Sequence, residues 1–89
     1  MRELIWTHRA LKRLDDIADF IARDNPVRAQ TFVTELRNKL EVLRTQPLGR
    51  SGRVFGTKEL ILHPNYLAVY RIKGDQVQVL TILHTAQNK

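Results

Sequence analysis

Residues 63–72, HPNYLAVYRI, bring His63, Tyr66, Tyr70 and Arg71 within ten positions of one another, and His84 follows near the C-terminal end. A histidine can give or take a proton near neutral pH. A tyrosine can stack on a nucleobase, and an arginine can hold a phosphate. The set could form the reactive face of a nuclease, or it could be a well-packed strand behind a turn. Spacing limits the first reading. Tyr66 and Tyr70 are four apart and share one side of a strand, whereas Arg71 points to the other. The two tyrosines serve equally as a stacking platform or as core rings whose hydroxyls reach the rim.

Other chemistries are excluded more directly. The chain has no cysteine, which removes disulfides, thiolate metal sites and a thiol nucleophile. His8, His63 and His84 have no helical ligand spacing, so no metal site is expected. LGRSGR (48–53) fits neither a P-loop nor a GxGxxG dinucleotide turn, and no cofactor is expected. Ser51, the only serine, stands in a loop with no evident base. Trp6 reads as a core residue.

The elements that must hold these residues are legible from periodicity. RELIW (2–6) reads as a short strand ending in an aromatic. Thr7 can cap a helix in which Ala10, Leu11, Leu14, Ile17, Ala18 and Ile21 recur at helical spacing as far as about Arg23. Asn25 and Pro26 open a second helix, whose stripe is Ala29, Phe32, Val33, Leu36, Leu40 and Leu43, ending near Thr45. The short connection makes the two an antiparallel hairpin. QPLGRSGR (46–53) reads as a loop. Three strands follow, at 57–62, 66–72 and 76–83, joined by the turns HPN and KGD. The expected fold is α+β, in the order β-α-α-β-β-β. An N-terminal strand and a helical hairpin pack on an antiparallel meander, all in one domain over residues 1–89.

The strands are apolar on both sides. Leu67 and Val69 oppose Ala68, Tyr70 and Ile72, and strict alternation sets Val77, Val79 and Leu83 opposite Leu80 and Ile82. A hairpin covers one face only. The other calls for a partner, or for the first strand and the C-terminal tail to fold over it.

Among the 89 residues, 15 Lys and Arg against 9 Asp and Glu give a net charge of +6. The excess is concentrated between Arg37 and Lys58, where Arg37, Lys39, Arg44, Arg50, Arg53 and Lys58 face the single acid Glu41. A basic patch of this kind suits an anionic partner. No apolar run approaches the roughly 18 residues of a membrane span. With no signal-like leader, a soluble cytoplasmic protein without membrane contact is expected.

The order of elements, the basic loop and GTKELIL…YLAVYRIKGDQVQVLTILHTAQ resemble the RelE/ParE superfamily of type II toxin–antitoxin toxins. The specific parts are Gly56–Leu60, Tyr70-Arg71-Ile72, and Ile82-Leu83-His84 with Ala86. The pattern is closest to the ParE-like, plasmid-stabilisation branch. The resemblance implies a growth-inhibiting toxin, held in a hetero-oligomer by a cognate acidic antitoxin that covers its apolar grooves. It leaves two targets: RelE-like members cut mRNA on the ribosome, and ParE members poison DNA gyrase.

Metal-free RNA cleavage needs a base, an acid and cations on the developing phosphorane. The superfamily's YRLVY-type strand corresponds to Tyr66–Tyr70 here, with Leu67 where RelE-like toxins carry arginine. The basic C-terminal segment of RelE with its stacking tyrosine is also missing from HTAQNK. A histidine-based branch resembling YafQ would use His63 and His84 as base and acid, Tyr66 as platform, and Arg50 or Arg53 on phosphate. Asn65, however, replaces that branch's acid. The preferred expectation is therefore a ParE-like toxin that is not an enzyme and binds gyrase. It would do so through Arg50, Arg53, Lys58, Arg71 and the C-terminal segment from His84. The alternatives are a ribosome-dependent endoribonuclease, and a degenerate toxin kept only as its antitoxin's partner.

Overall fold

The computed structural model of the chain describes residues 1–46 and 49–85. The order is β1 (Glu3–Trp6), α1 (His8–Ala22), α2 (Pro26–Glu41), a 3-10 turn (Val42–Arg44), β2 (Arg50–Ser51), β3 (Lys58–His63), β4 (Tyr66–Lys73) and β5 (Gln76–His84). Both helices begin where side chains can satisfy their free amides. The Thr7 hydroxyl accepts the Ala10 N–H, and the Asn25 side chain accepts that of Arg28 ahead of Pro26. Ala10 and Leu14 of α1 and Ala29, Phe32, Leu36 and Leu40 of α2 are buried, with Leu43 just beyond. Leu11 leaves the expected stripe and is 41% exposed.

The five strands form one sheet in the order β1-β5-β4-β3-β2. The first strand does not fold over the far face as one expectation had it. It joins the edge parallel to β5, with Leu4 beside Val77, and so extends the sheet. The loop expectation for 46–53 is also corrected in part, because Arg50 and Ser51 pair with Glu59 and Lys58 of β3. Pro47 and Leu48 of that loop, and residues 86–89 of the C-terminal segment, lie outside the described residues.

One face of the sheet, carrying Leu4, Leu62, Ala68, Tyr70, Val77, Val79 and Ile82, packs with the helices into a single core. Trp6 packs against this core, with the Arg37 guanidinium 5.9 Å above its ring. Two bulges change the register. Between β4 and β5, Tyr70 pairs with Val79 and Val69 with Thr81, so Leu80 is the extra residue. Val77, Val79 and Ile82 therefore share the core face, and Leu83 turns to the far face, which corrects the strict alternation expected for this strand. The second bulge lies in β3, where Leu62 is extra between Ile61 and His63. Pro64 leads a turn in which Asn65 has no positive φ, which excludes the primed turns that suit a two-residue hairpin. The bulge takes up the mismatch.

Candidate functional site

The two bulges decide where the histidines go. An extra residue shifts the side-chain alternation by one, so His63 joins Leu62 on the helix side and His84 joins Ile82 there. Both are register partners of Tyr66, one on each neighbouring strand. The Tyr66 ring stands 6.2 Å from the His63 ring and 5.0 Å from that of His84. Phe32 of α2 closes the group from above, 5.1 Å from His63 and 5.6 Å from Tyr66. The structure thus brings His63, Tyr66 and His84 into one aromatic cluster. The histidine backbones are two strand spacings apart, about 9.5 Å, with the tyrosine between them.

The turn between β3 and β4 is tied down on both sides. The Asn65 N–H donates to His63 Nδ1 at 3.2 Å. Thr85 sends its amide to the Asn65 carbonyl at 2.8 Å and its hydroxyl to that of Pro64 at 3.0 Å. With Nδ1 accepting, the neutral His63 ring carries its proton on Nε2 and is a donor there. To serve as a base it would have to give up the bond that closes its own turn.

Beside His84 a cleft of about 290 Å³ opens between α1 and the sheet, lined by Arg13, Asp16, Ile17, Phe20, Tyr66, Ile82 and His84. Arg13, Asp16 and Phe20 were not singled out from the sequence. They lie outside the apolar stripe read for α1, so periodicity gave no reason to name them. No group of three or more His, Cys, Asp or Glu able to hold a metal occurs among the described residues.

The cations proposed for target binding do not share one surface. Arg71 projects from the far face and donates from Nε to Gln78 at 2.6 Å. Arg50 is on that face too, its Nε 3.6 Å from the carboxylate of Glu59, whose side chain is only 8% exposed. Lys58 is in register with Tyr70 on the helix side, and Arg53 lies exposed in the connection between β2 and β3. Glu59 escaped sequence reasoning because nothing local distinguishes a buried carboxylate from a solvated one.

On the far face Ile61, Leu67 and Leu83 stand side by side across three strands. Leu67 is 5% exposed and Ile61 57%. Most of the exposed large apolar side chains lie elsewhere, with Phe20 and Val27 on the helices and Val54 and Phe55 beyond β2. A shallow groove of about 590 Å³ runs over the hairpin, with Ala18, Ala22, Pro26, Ala29 and Val33 in its floor and walls. The described residues include no helix long and apolar enough to cross a membrane.

Residues 4–89 of this basic α+β domain match the family model of the ParE toxin of the type II toxin–antitoxin system parDE. The chain belongs to that family and is the toxin of a type II toxin–antitoxin system. It is 39% identical over 88 residues to the candidate toxin Y4kP of Sinorhizobium fredii, covering 97% of this chain and 91% of that protein. Toxin RelE2 of Caulobacter vibrioides is 29% identical over 87 residues, covering 98% and 99%. A structure of the chromosomal ParDE system from P. aeruginosa superposes with a TM-score of 0.87 at 29% identity, covering 94% of this chain and 96% of that one.

Proposed function

We propose that this toxin stops growth by binding DNA gyrase and is not itself an enzyme. The observation that supports this reading is Leu67. An endoribonuclease of RelE type would need a cation at this position to stabilise the phosphorane. Here a buried leucine fills it, flanked in register by Ile61 and Leu83. The histidine route has weaker support than its sequence pattern implied. His63 Nδ1 is taken up by its turn, Tyr66 lies between the two rings, and Asn65 supplies no acid.

The antitoxin is the cytoplasmic partner that holds the toxin inactive. An acidic, amphipathic segment would suit the groove over the hairpin, where Phe20 and Val27 leave apolar surface exposed.

The test is a pulse of expression without antitoxin, following labelled thymidine and labelled methionine incorporation over the first minutes. An early stop in DNA synthesis with translation continuing is expected. Prompt loss of translation would overturn the gyrase reading and return the endoribonuclease, with His63 and His84 as its acid–base pair.

A further inference from the structure

Phe55 is the most exposed large apolar side chain described, at 103% of its reference surface, and Val54 beside it is 67% exposed. A phenylalanine fully in water forgoes the free energy of burying its ring. The backbone beneath it is not a loose loop. The Thr57 N–H donates to the Val54 carbonyl at 3.1 Å, and the Thr57 hydroxyl donates to the same oxygen at 2.6 Å. The Gly52 N–H closes the base of the turn on the Thr57 carbonyl at 2.8 Å. Gly56 has φ +84°, and no non-glycine residue has a positive φ. The turn is therefore type II, with Phe55 at its first corner and glycine at the second, the position that requires it. Phe55 is held outward by a doubly bonded turn.

The charged residues nearest the tip along the chain are basic: the exposed Arg53, and Lys58 on the helix side. Arg50 lies on the far face beside the 7% exposed Glu59. An aromatic anchor set among arginines is the composition of the residues that dominate protein interfaces. A backbone already fixed in one turn also loses little freedom on binding.

We propose that the Val54–Phe55 turn anchors this toxin to its target, with the Phe55 ring entering an apolar socket whose rim carries carboxylates. The inference rests on the gyrase reading and names the element of the chain that enters that protein. It is separate from the surface offered to the antitoxin, because Phe20, Val27 and the small-residue groove lie on the helices and this turn lies at the β2 edge of the sheet.

The experiment measures inhibition of gyrase supercoiling by the purified full-length chain, its Phe55→Ser and Gly56→Val variants, and the binding of each to the antitoxin. In Phe55→Ser the concentration for half-inhibition should rise at least about tenfold, as for loss of an interface anchor. Antitoxin affinity should be unchanged. A Cβ at Gly56 meets no atom within 4 Å, and a β-branched residue disfavours the positive φ of the turn, so the effect of Gly56→Val should run in the same direction. If the unmodified chain does not inhibit gyrase, the gyrase reading falls and takes this inference with it. If the unmodified chain inhibits and Phe55→Ser inhibits equally, the inference alone is overturned. Loss of antitoxin affinity, or of self-association in sedimentation, with gyrase inhibition intact would assign the tip to those contacts and likewise overturn it.

Discussion

Tyr66 meets His84 edge to face, ring centroids 5.0 Å apart and planes at 82°, although uninterrupted alternation along β5 would put the two on opposite faces of the sheet. The extra residue Leu80 makes the contact, and Thr7 holds that residue in place. The Thr7 hydroxyl shares its proton between the carbonyls of Val79 at 2.9 Å and Leu80 at 3.0 Å, while accepting the Ala10 N–H at 3.2 Å. One side chain thus caps α1 and bridges the bulge.

Thr7→Val keeps the shape and removes both functions. It should cost about 1–2 kcal/mol, the usual range for loss of a helix cap. Thr7→Ser, which keeps the hydroxyl, should cost much less. Urea denaturation gives the energies. The ring-current shift of the His84 protons should diminish in the valine variant and persist in the serine one.

His63→Ala removes a group on which acid–base cleavage would depend and which the gyrase reading does not use. Under that reading it does not abolish the arrest of DNA synthesis in a pulse-expression assay. The prediction fails if the variant restores growth while still binding antitoxin with full affinity.

Gly49 has φ +107°, and a Cβ there would stand 2.6 Å from the Glu59 carbonyl oxygen and 2.8 Å from the Tyr70 hydroxyl. Gly49→Ala combines backbone strain with a clash against a strand and a buried ring. It should destabilise by more than about 1 kcal/mol. Gly56→Ala has the same kind of φ but open space around it, and should cost less. The order of the two urea midpoints checks this.

Tyr70 is fully buried, and desolvation raises its phenol above the ordinary 10.0. Burial penalises the phenolate, so above pH 10.0 the unfolded chain loses this proton first. The unfolded state is then favoured, and stability falls by up to about 1.4 kcal/mol per pH unit until the folded phenol also ionises. Below the unfolded pKa this contribution is fully present. Tyr70→Phe should flatten the alkaline loss, measured as the difference between the two proteins' denaturation curves from pH 8 to 11.

The helical hairpin, the three long strands and their turns were legible in the sequence, because apolar period, caps and proline–glycine punctuation are local properties. Its motifs also carried the family, and its lack of cysteine excluded thiol chemistry and thiolate metal sites. It could not determine which face a side chain takes beyond a bulge. HPNYLAVYRI reads as a regular strand, yet Leu62 and Leu80 each add a residue that nothing nearby in the chain announces. Those insertions are set by the mismatch of the Pro64 turn and by Thr7, a residue 73 positions from Leu80. The joining of β1 to β5, the burial of Glu59 beside Arg50 and the outward turn at Phe55 were decided the same way. Each depends on partners that meet only when the chain is folded, and periodicity along one strand carries no record of them.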